Sequence, residues 1–355
     1  MKQKRMKNNK ATFFCASLCL FLLTGCENAV VTAVGDVHTP KEETKVVLTL
    51  GMDEDKVFYL GESGCTKEEF MLYLTNTQNS YEATYGTDLW DKSGDGDSME
   101  ERIKDNVAAR IAQIKTMALL ANEYQVTLTD AEEKRILQAA DAYLATLQPQ
   151  EKELLGVTRE TVSEIYRENL LAHNVYTYII KDVNPEISDD EARNVEVAWV
   201  FIGGDEEDGQ ARSTAVTVKS LADQGADFDE LITTYSDDKS LTHTFGKGQV
   251  DAAIEEVAFG LAEGQVSGVV TGTDGYYVVK CISALDRQET DANKEKIVTR
   301  RKQEAFNEVY NSFARGLMQR LNEEVYEEIT MLHDPAVRTD QLFNIYESYF
   351  PAEQQ

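Results

Sequence analysis

The spacing of apolar positions changes several times along this chain. A continuous apolar run, Ala11 to Leu23, comes first. Two short runs, Val46-Val47-Leu48-Thr49-Leu50 and Lys56-Val57-Phe58-Tyr59-Leu60, then predict strands joined by a turn over 51–55. Thr66-Lys67-Glu68-Glu69 has the form of a capping box and opens a helix through Phe70, Leu72 and Leu74. Ile103, Val107, Ile111, Ile114 and Met117 recur at steps of three and four, the apolar stripe of a packed helix. Thr129-Asp130-Ala131-Glu132 begins another helix, and 158–173 reads as a further one before the pattern breaks around Pro185. From Val195 to about Arg287 the pattern alternates among strands, helix and glycine-rich turns. Phe306, Val309, Phe313, Leu317, Leu321 and Val325 then predict one long amphipathic helix, followed by Pro335 and an aromatic tail.

The implied class is α+β, with a small mixed segment inserted into an otherwise helical protein. A long helix with an apolar stripe needs a partner surface, because helices in water draw most of their stability from packing. It is expected to return onto the helices of 66–180. A coiled-coil dimer is the alternative, but the stripe holds no sustained heptad. The oligomeric state stays open.

The amino end changes the picture. Lys2, Lys4, Arg5, Lys7 and Lys10 precede the first apolar run, which is too short to span a bilayer comfortably and fits the core of a signal peptide. The run ends in Leu23-Thr24-Gly25-Cys26, which resembles the lipobox of bacterial lipoproteins. That resemblance implies cleavage before Cys26 and acylation of its sulfur. Several acyl chains are implied, since one chain alone anchors only marginally. Of the remaining cysteines, Cys65 and Cys281 lie far apart, and Cys281 closes a largely apolar run as a small buried hydrophobe would.

The formal net charge of −28 repels nucleic acid and anionic lipid and favours basic over acidic partners. No metal or other cofactor is expected. Cysteines and histidines lack zinc-ligand spacing. The run Asp91-Lys92-Ser93-Gly94-Asp95-Gly96 begins like a calcium loop, but Arg102 stands where the bidentate carboxylate is required. Ser267 has no nucleophile-elbow context.

Candidate chemistry concentrates in the inserted segment. Ala226-Asp227-Phe228-Asp229-Glu230-Leu231, Tyr235-Ser236-Asp237-Asp238, Phe245-Gly246-Lys247-Gly248-Gln249-Val250, Ile254 to Leu261, Gly264 to Val270 and Asp274 to Lys280 follow in order. Together they resemble the parvulin family of peptidyl-prolyl isomerases over about Val195 to Ala284. The flanking helices resemble, more loosely, those of PrsA-type foldase lipoproteins. The resemblance implies a signal peptide over 1–25 and a lipidated Cys26 with its tether over 26–45. It further implies a helical chaperone-like domain over 46–188, completed by helices over 288–355. Between them, 189–287 would form a parvulin-like domain with a small antiparallel sheet.

Carried over residue by residue, the family's Asp/Cys position falls on Asp238, and the proline cup on Val250, Ile254 and Phe259. The two family histidine positions fall on Trp199 and Tyr277. Tyr277 could donate a hydrogen bond, whereas Trp199 offers only an indole N–H. Asp238 reads equally well as a loop-capping aspartate. His243, in the loop after Asp238, is a candidate to replace a lost imidazole, but it reads more readily as an exposed loop histidine whose orientation nothing fixes. The loop Gly203-Gly204-Asp205-Glu206-Glu207-Asp208 is acidic where phosphate-directed members are basic, so phosphopeptide selectivity is not expected.

Two functions follow as expectations. One is a parvulin-type isomerase acting on unfolded exported polypeptides at the outer face of the cell membrane, held there by its lipid alone. The other is a parvulin-fold chaperone or interaction protein without catalysis.

Overall fold

The computed structural model describes residues 53–90, 98–204 and 209–351. The apolar run at 11–23, Cys26, the strand expected over 46–50, the calcium-like loop at 91–96 and the acidic residues 205–208 lie outside the described residues. The described chain divides into two units, one comprising residues up to Lys181 together with those from Phe306 on, the other Asp182–Ala305.

The first unit opens with strands β1 (Lys56–Leu60) and β2 (Ser63–Thr66). Helices α1 (Lys67–Tyr85), α2 (Met99–Glu123), α3 (Asp130–Thr146), α4 (Pro149–Leu155) and α5 (Arg159–Ile180) follow. In the second unit come α6 (Asp189–Ala192), β3 (Asn194–Gly203), α7 (Gly209–Asp223), α8 (Phe228–Tyr235), β4 (His243–Gly246), α9 (Ala252–Gly260), β5 (Val266–Thr271) and β6 (Gly275–Ser283). The division between the units falls inside α10 (Arg287–Gly316), after which β7 (Gln319–Leu321), α11 (Glu323–Glu328) and α12 (Leu342–Tyr349) belong to the first unit.

Helix starts follow their caps. Ser98 and Thr129 form complete capping boxes with Glu101 and Glu132, and Thr158 caps α5. Thr66 caps α1 through Glu69 N–H at 3.0 Å, and the Glu69 carboxylate stands 3.0 Å from the Lys115 ammonium. The stripe of α2 is buried as expected at Ile103, Val107, Ile111 and Ile114.

The long helix expected through Val325 is corrected. It runs from Arg287 and stops at Gly316; Leu321 then lies on β7, paired antiparallel with Phe58 of β1, and Val325 lies on the separate helix α11, capped by Asn322. The apolar spacing continues past Gly316, but backbone pairing to the open edge of β1 takes those residues instead. The return of the last segment onto the earlier helices is seen within the first unit. Phe306 meets Tyr176 edge-on at 5.1 Å, Asn79 donates to the Thr339 carbonyl at 2.8 Å, and the Tyr166 hydroxyl donates to the Leu342 carbonyl at 2.7 Å.

A charged cluster lies inside this unit. Lys115 of α2, its side chain 2% exposed, stands 3.0 Å from Glu69 of α1 and binds both carboxylate oxygens of Glu168 of α5 at 2.8 and 2.9 Å. Three ionised groups here would leave one uncompensated buried negative charge, which a single retained proton removes. Burial pushes the Glu168 carboxyl up from 4.5 to about 7, against the pull of Lys115, and burial raises Glu69 as well. Cys65 and Cys281 are both buried and unbridged.

The second sheet has the order β4-β3-β6-β5, antiparallel throughout. Its two faces carry separate cores. One packs on α7 and α8, the other on α9.

The Glu168 carboxyl binds its proton more tightly folded than unfolded. The stabilisation from that proton is therefore full below about pH 4.5 and is lost as pH rises through about 7. Urea unfolding followed by Trp90 in a Trp199→Phe background is expected to give a first-unit stability that falls between those pH values, and a Glu168→Gln variant is expected to flatten that fall.

Candidate functional site

The pleat of β3 sends alternate residues to opposite faces. Ala198, Val200 and Ile202 point to the face covered by α7 and α8, together with Tyr276 and Val278 of β6. Val195 and Val197 join Tyr277, Val279 and Cys281 on the opposite face, where α9 supplies Ile254 and Ala258. Trp199 and Phe201 share that second face but are only partly buried, as are Val250, Val257 and Phe259. The result is a half-exposed apolar surface carrying three aromatic rings. Phe259 is fixed at its margin by Arg193, whose guanidinium lies 4.7 Å over the ring and donates to the Phe259 carbonyl at 3.1 Å.

The loop after α8 completes the surface. β4 pairs with β3 only over Asn194–Val197, so the β3 edge beyond it needs other partners. Phe201 N–H donates to the Ser236 hydroxyl at 2.9 Å, and the Phe201 carbonyl accepts from Asp237 N–H at 2.8 Å. The Asp237 carboxylate in turn accepts from Gly203 N–H at 2.8 Å. Asp238 is thereby held beside Trp199. Its Oδ1 accepts from Ser240 N–H at 2.9 Å, and its Oδ2 accepts from the Trp199 indole N–H at 3.2 Å.

His243 at the start of β4 lies flat on that indole, ring centroids 3.6 Å apart and planes 15° apart, with Nε2 3.4 Å from Asp238 Oδ2. Tyr277 meets Trp199 edge-on at 5.6 Å and leans on Phe201 at 4.8 Å, while its hydroxyl donates to Asp274 Oδ1 at 2.9 Å. The Ser240 N–H, with help from Trp199 and His243, holds the Asp238 carboxyl below its ordinary range. Burial lowers His243, outweighing the opposite pull of Asp238. Burial and the bond to Asp274 push the Tyr277 phenol up. At neutral pH Asp238 is therefore a carboxylate set against the neutral rings of Trp199 and His243.

Residues 201–283 match the family model described as Rotamase: PPIC-type PPIase domain. The chain carries a parvulin-type domain. The dodo protein of Drosophila melanogaster, named for peptidyl-prolyl cis-trans isomerase activity, is 39% identical over 64 residues, which are 17% of this chain and 39% of that protein. The chain thus spans well under half the length of this curated relative. Among solved structures, PrsA of Bacillus cereus is 17% identical, with a TM-score of 0.35, over 70% of this chain and 92% of its own. The foldase protein PrsA of Lactococcus lactis is 13% identical, with a TM-score of 0.32, over 82% of this chain and 98% of its own.

The parvulin-type domain brings Asp238, Trp199 and Tyr277 together, with Val250 and Phe259 half-buried in the same apolar cluster. Ile254 is in the same cluster but, at 3% exposure, it is a buried core residue of α9 rather than part of the half-exposed surface. Tyr277, 7% exposed, spends its hydroxyl on Asp274 and contributes the flank of its ring. Asp238 is both a loop cap and a partner of the site ring. His243 is corrected most. It is no free loop histidine but a strand residue wedged between indole and carboxylate. One signal for it was present in Thr242-His243-Thr244-Phe245, whose period of two puts His243 on the side of the buried Phe245.

The register under these rings depends on Gly275, opposite Gly203. A Cβ there would lie 2.2 Å from the Ile202 carbonyl oxygen and 2.9 Å from the Phe201 ring. Gly275→Ala is expected to destabilise this unit by about 1–3 kcal/mol and to shift Trp199 emission, read by denaturant unfolding in a Trp90→Phe background.

Proposed function

We propose that this protein is a lipid-anchored, extracytoplasmic folding factor whose parvulin-type domain isomerises Xaa-Pro bonds in unfolded exported polypeptides. The observation that carries this reading is the half-exposed surface of Trp199, Phe201, Val250 and Phe259 set beside the fixed carboxylate of Asp238. The amide C–N bond resists rotation by ~18–20 kcal/mol because its planar form is charge-separated. An apolar surface that takes up the proline ring disfavours that planar form. A fixed negative charge nearby further discourages charge build-up on the prolyl carbonyl. No bond is broken, and the site residues need hold no metal or cofactor.

The anchor rests on Leu23-Thr24-Gly25-Cys26 after a cationic start and an apolar run. With its acidic balance, the chain favours basic unfolded segments, excludes nucleic acid, and touches the membrane through its lipid alone.

A second reading has a specific observation behind it. Both family histidine positions are filled by Trp199 and Tyr277, and the Tyr277 hydroxyl is already engaged. A domain so furnished could hold apolar segments without turning them over.

The cis-to-trans relaxation of Xaa-Pro peptides separates the two. Isomerisation is expected to run faster than in buffer, and Phe259→Ala is expected to lower kcat/KM roughly tenfold through lost ring contact. A wild-type rate equal to buffer, with activity gained when Trp199 and Tyr277 are both changed to His, would leave only the holding function. Labelling cells with radioactive palmitate is expected to mark the protein, and Cys26→Ala to abolish the label.

A further inference from the structure

His243 takes no part in the reading above, yet its placement is the most constrained of the cluster. Its ring lies on the Trp199 indole at 3.6 Å, and its Nε2 is buried without a hydrogen bond while standing 3.4 Å from Asp238 Oδ2. It is the sole histidine between residues 182 and 305. We propose that His243 is a positioning residue whose protonation pairs it with Asp238 and switches the site off. Uncharged, it stacks as a neutral plate behind the indole and leaves the Asp238 carboxylate to the Trp199 and Ser240 N–H groups. Charged, its Nε2–H gains a carboxylate already within reach, and the imidazolium gains the face of the indole. The carboxylate that discourages charge build-up on a bound prolyl carbonyl is then compensated, and its bond to the Trp199 N–H is contested.

The groups facing this ring set the direction. From the loop after α8 it meets Asp238, which favours the proton; neighbouring Lys239 directs its ammonium to the carbonyls of Ile232 and Thr233. On β3 it meets Trp199, while Glu196, of even parity with Ala198 and Val200, lies on the other side of the sheet. Tyr277 of β6 lies across the indole, its phenol bound to Asp274. Burial opposes the proton and keeps the ring neutral at neutral pH, so the switch operates below 6.5, the ordinary histidine value.

The consequence for turnover rests on the isomerase reading; the pairing itself does not, and two measurements keep them apart. In the full chain with Trp90→Phe, Trp199 is the remaining tryptophan. Its emission is expected to fall in a single step in acid as the imidazolium forms against the indole. His243→Phe, which keeps a stacked ring, is expected to lose the step, and Asp238→Asn to move it to lower pH. In the wild type, the His243 ring and Trp199 indole N–H resonances are expected to titrate with one common midpoint, which needs no variant to fold. A flat emission trace, a step that survives in His243→Phe, or two different midpoints would overturn the proposal, whatever the peptide assay reads. Given isomerase activity, kcat/KM is expected to fall in acid with that same midpoint; activity that stays level through it would also overturn the switch, while absence of any activity would count against the isomerase reading alone.

Discussion

The period-two alternation of one strand, β3, is the constraint on which the site depends. Odd positions from Val195 to Phe201 face the α9 side and even positions face α7 and α8. A slip of one residue would bury Trp199 and Phe201 under two helices and expose Ala198 and Val200 in their place. Pairing with β6 fixes that register over eight residues of β3, and the absence of a Cβ at Gly275 lets the strands approach at the end where the rings sit.

Ring placement and charge placement are consequences of the same strand. Where β4 ceases to pair, the open edge of β3 is closed by Ser236 and Asp237, and this closure leaves the next residue, Asp238, against the Trp199 N–H. Backbone satisfaction thus delivers the carboxylate. The helical unit solves a different problem of buried polarity. Lys115 collects two carboxylates from two other helices, which ties α1, α2 and α5 together through a cluster tolerable only while its charges balance.

Much of this organisation is legible in the sequence because it rests on local rules. Caps at Thr66 and Thr129, the helix opening at Thr158, the stripe of α2 and the ordered parvulin motifs each depend on neighbours in the chain. What escaped depends on distant partners. The spacing of Leu321 and Val325 continues a helical stripe, but β1 offers an edge some 260 residues away. Ile254 stands at a cup position by alignment, yet the turn of α9 points it into the sheet. His243 sits among threonines in a four-residue strand, too short for periodicity to distinguish from a loop; its stacking partner comes from another strand and its carboxylate from a loop.

The central claim, that the half-exposed ring surface beside Asp238 receives a prolyl segment and turns it over, is tested most directly by exchange NMR on a labelled Xaa-Pro peptide. The expected result is cis–trans exchange cross-peaks that appear only with protein, and peptide-induced shifts concentrated at the Trp199 indole N–H, His243, Val250 and Phe259. Unchanged exchange, with peptide shifts falling on residues remote from that surface, would contradict it.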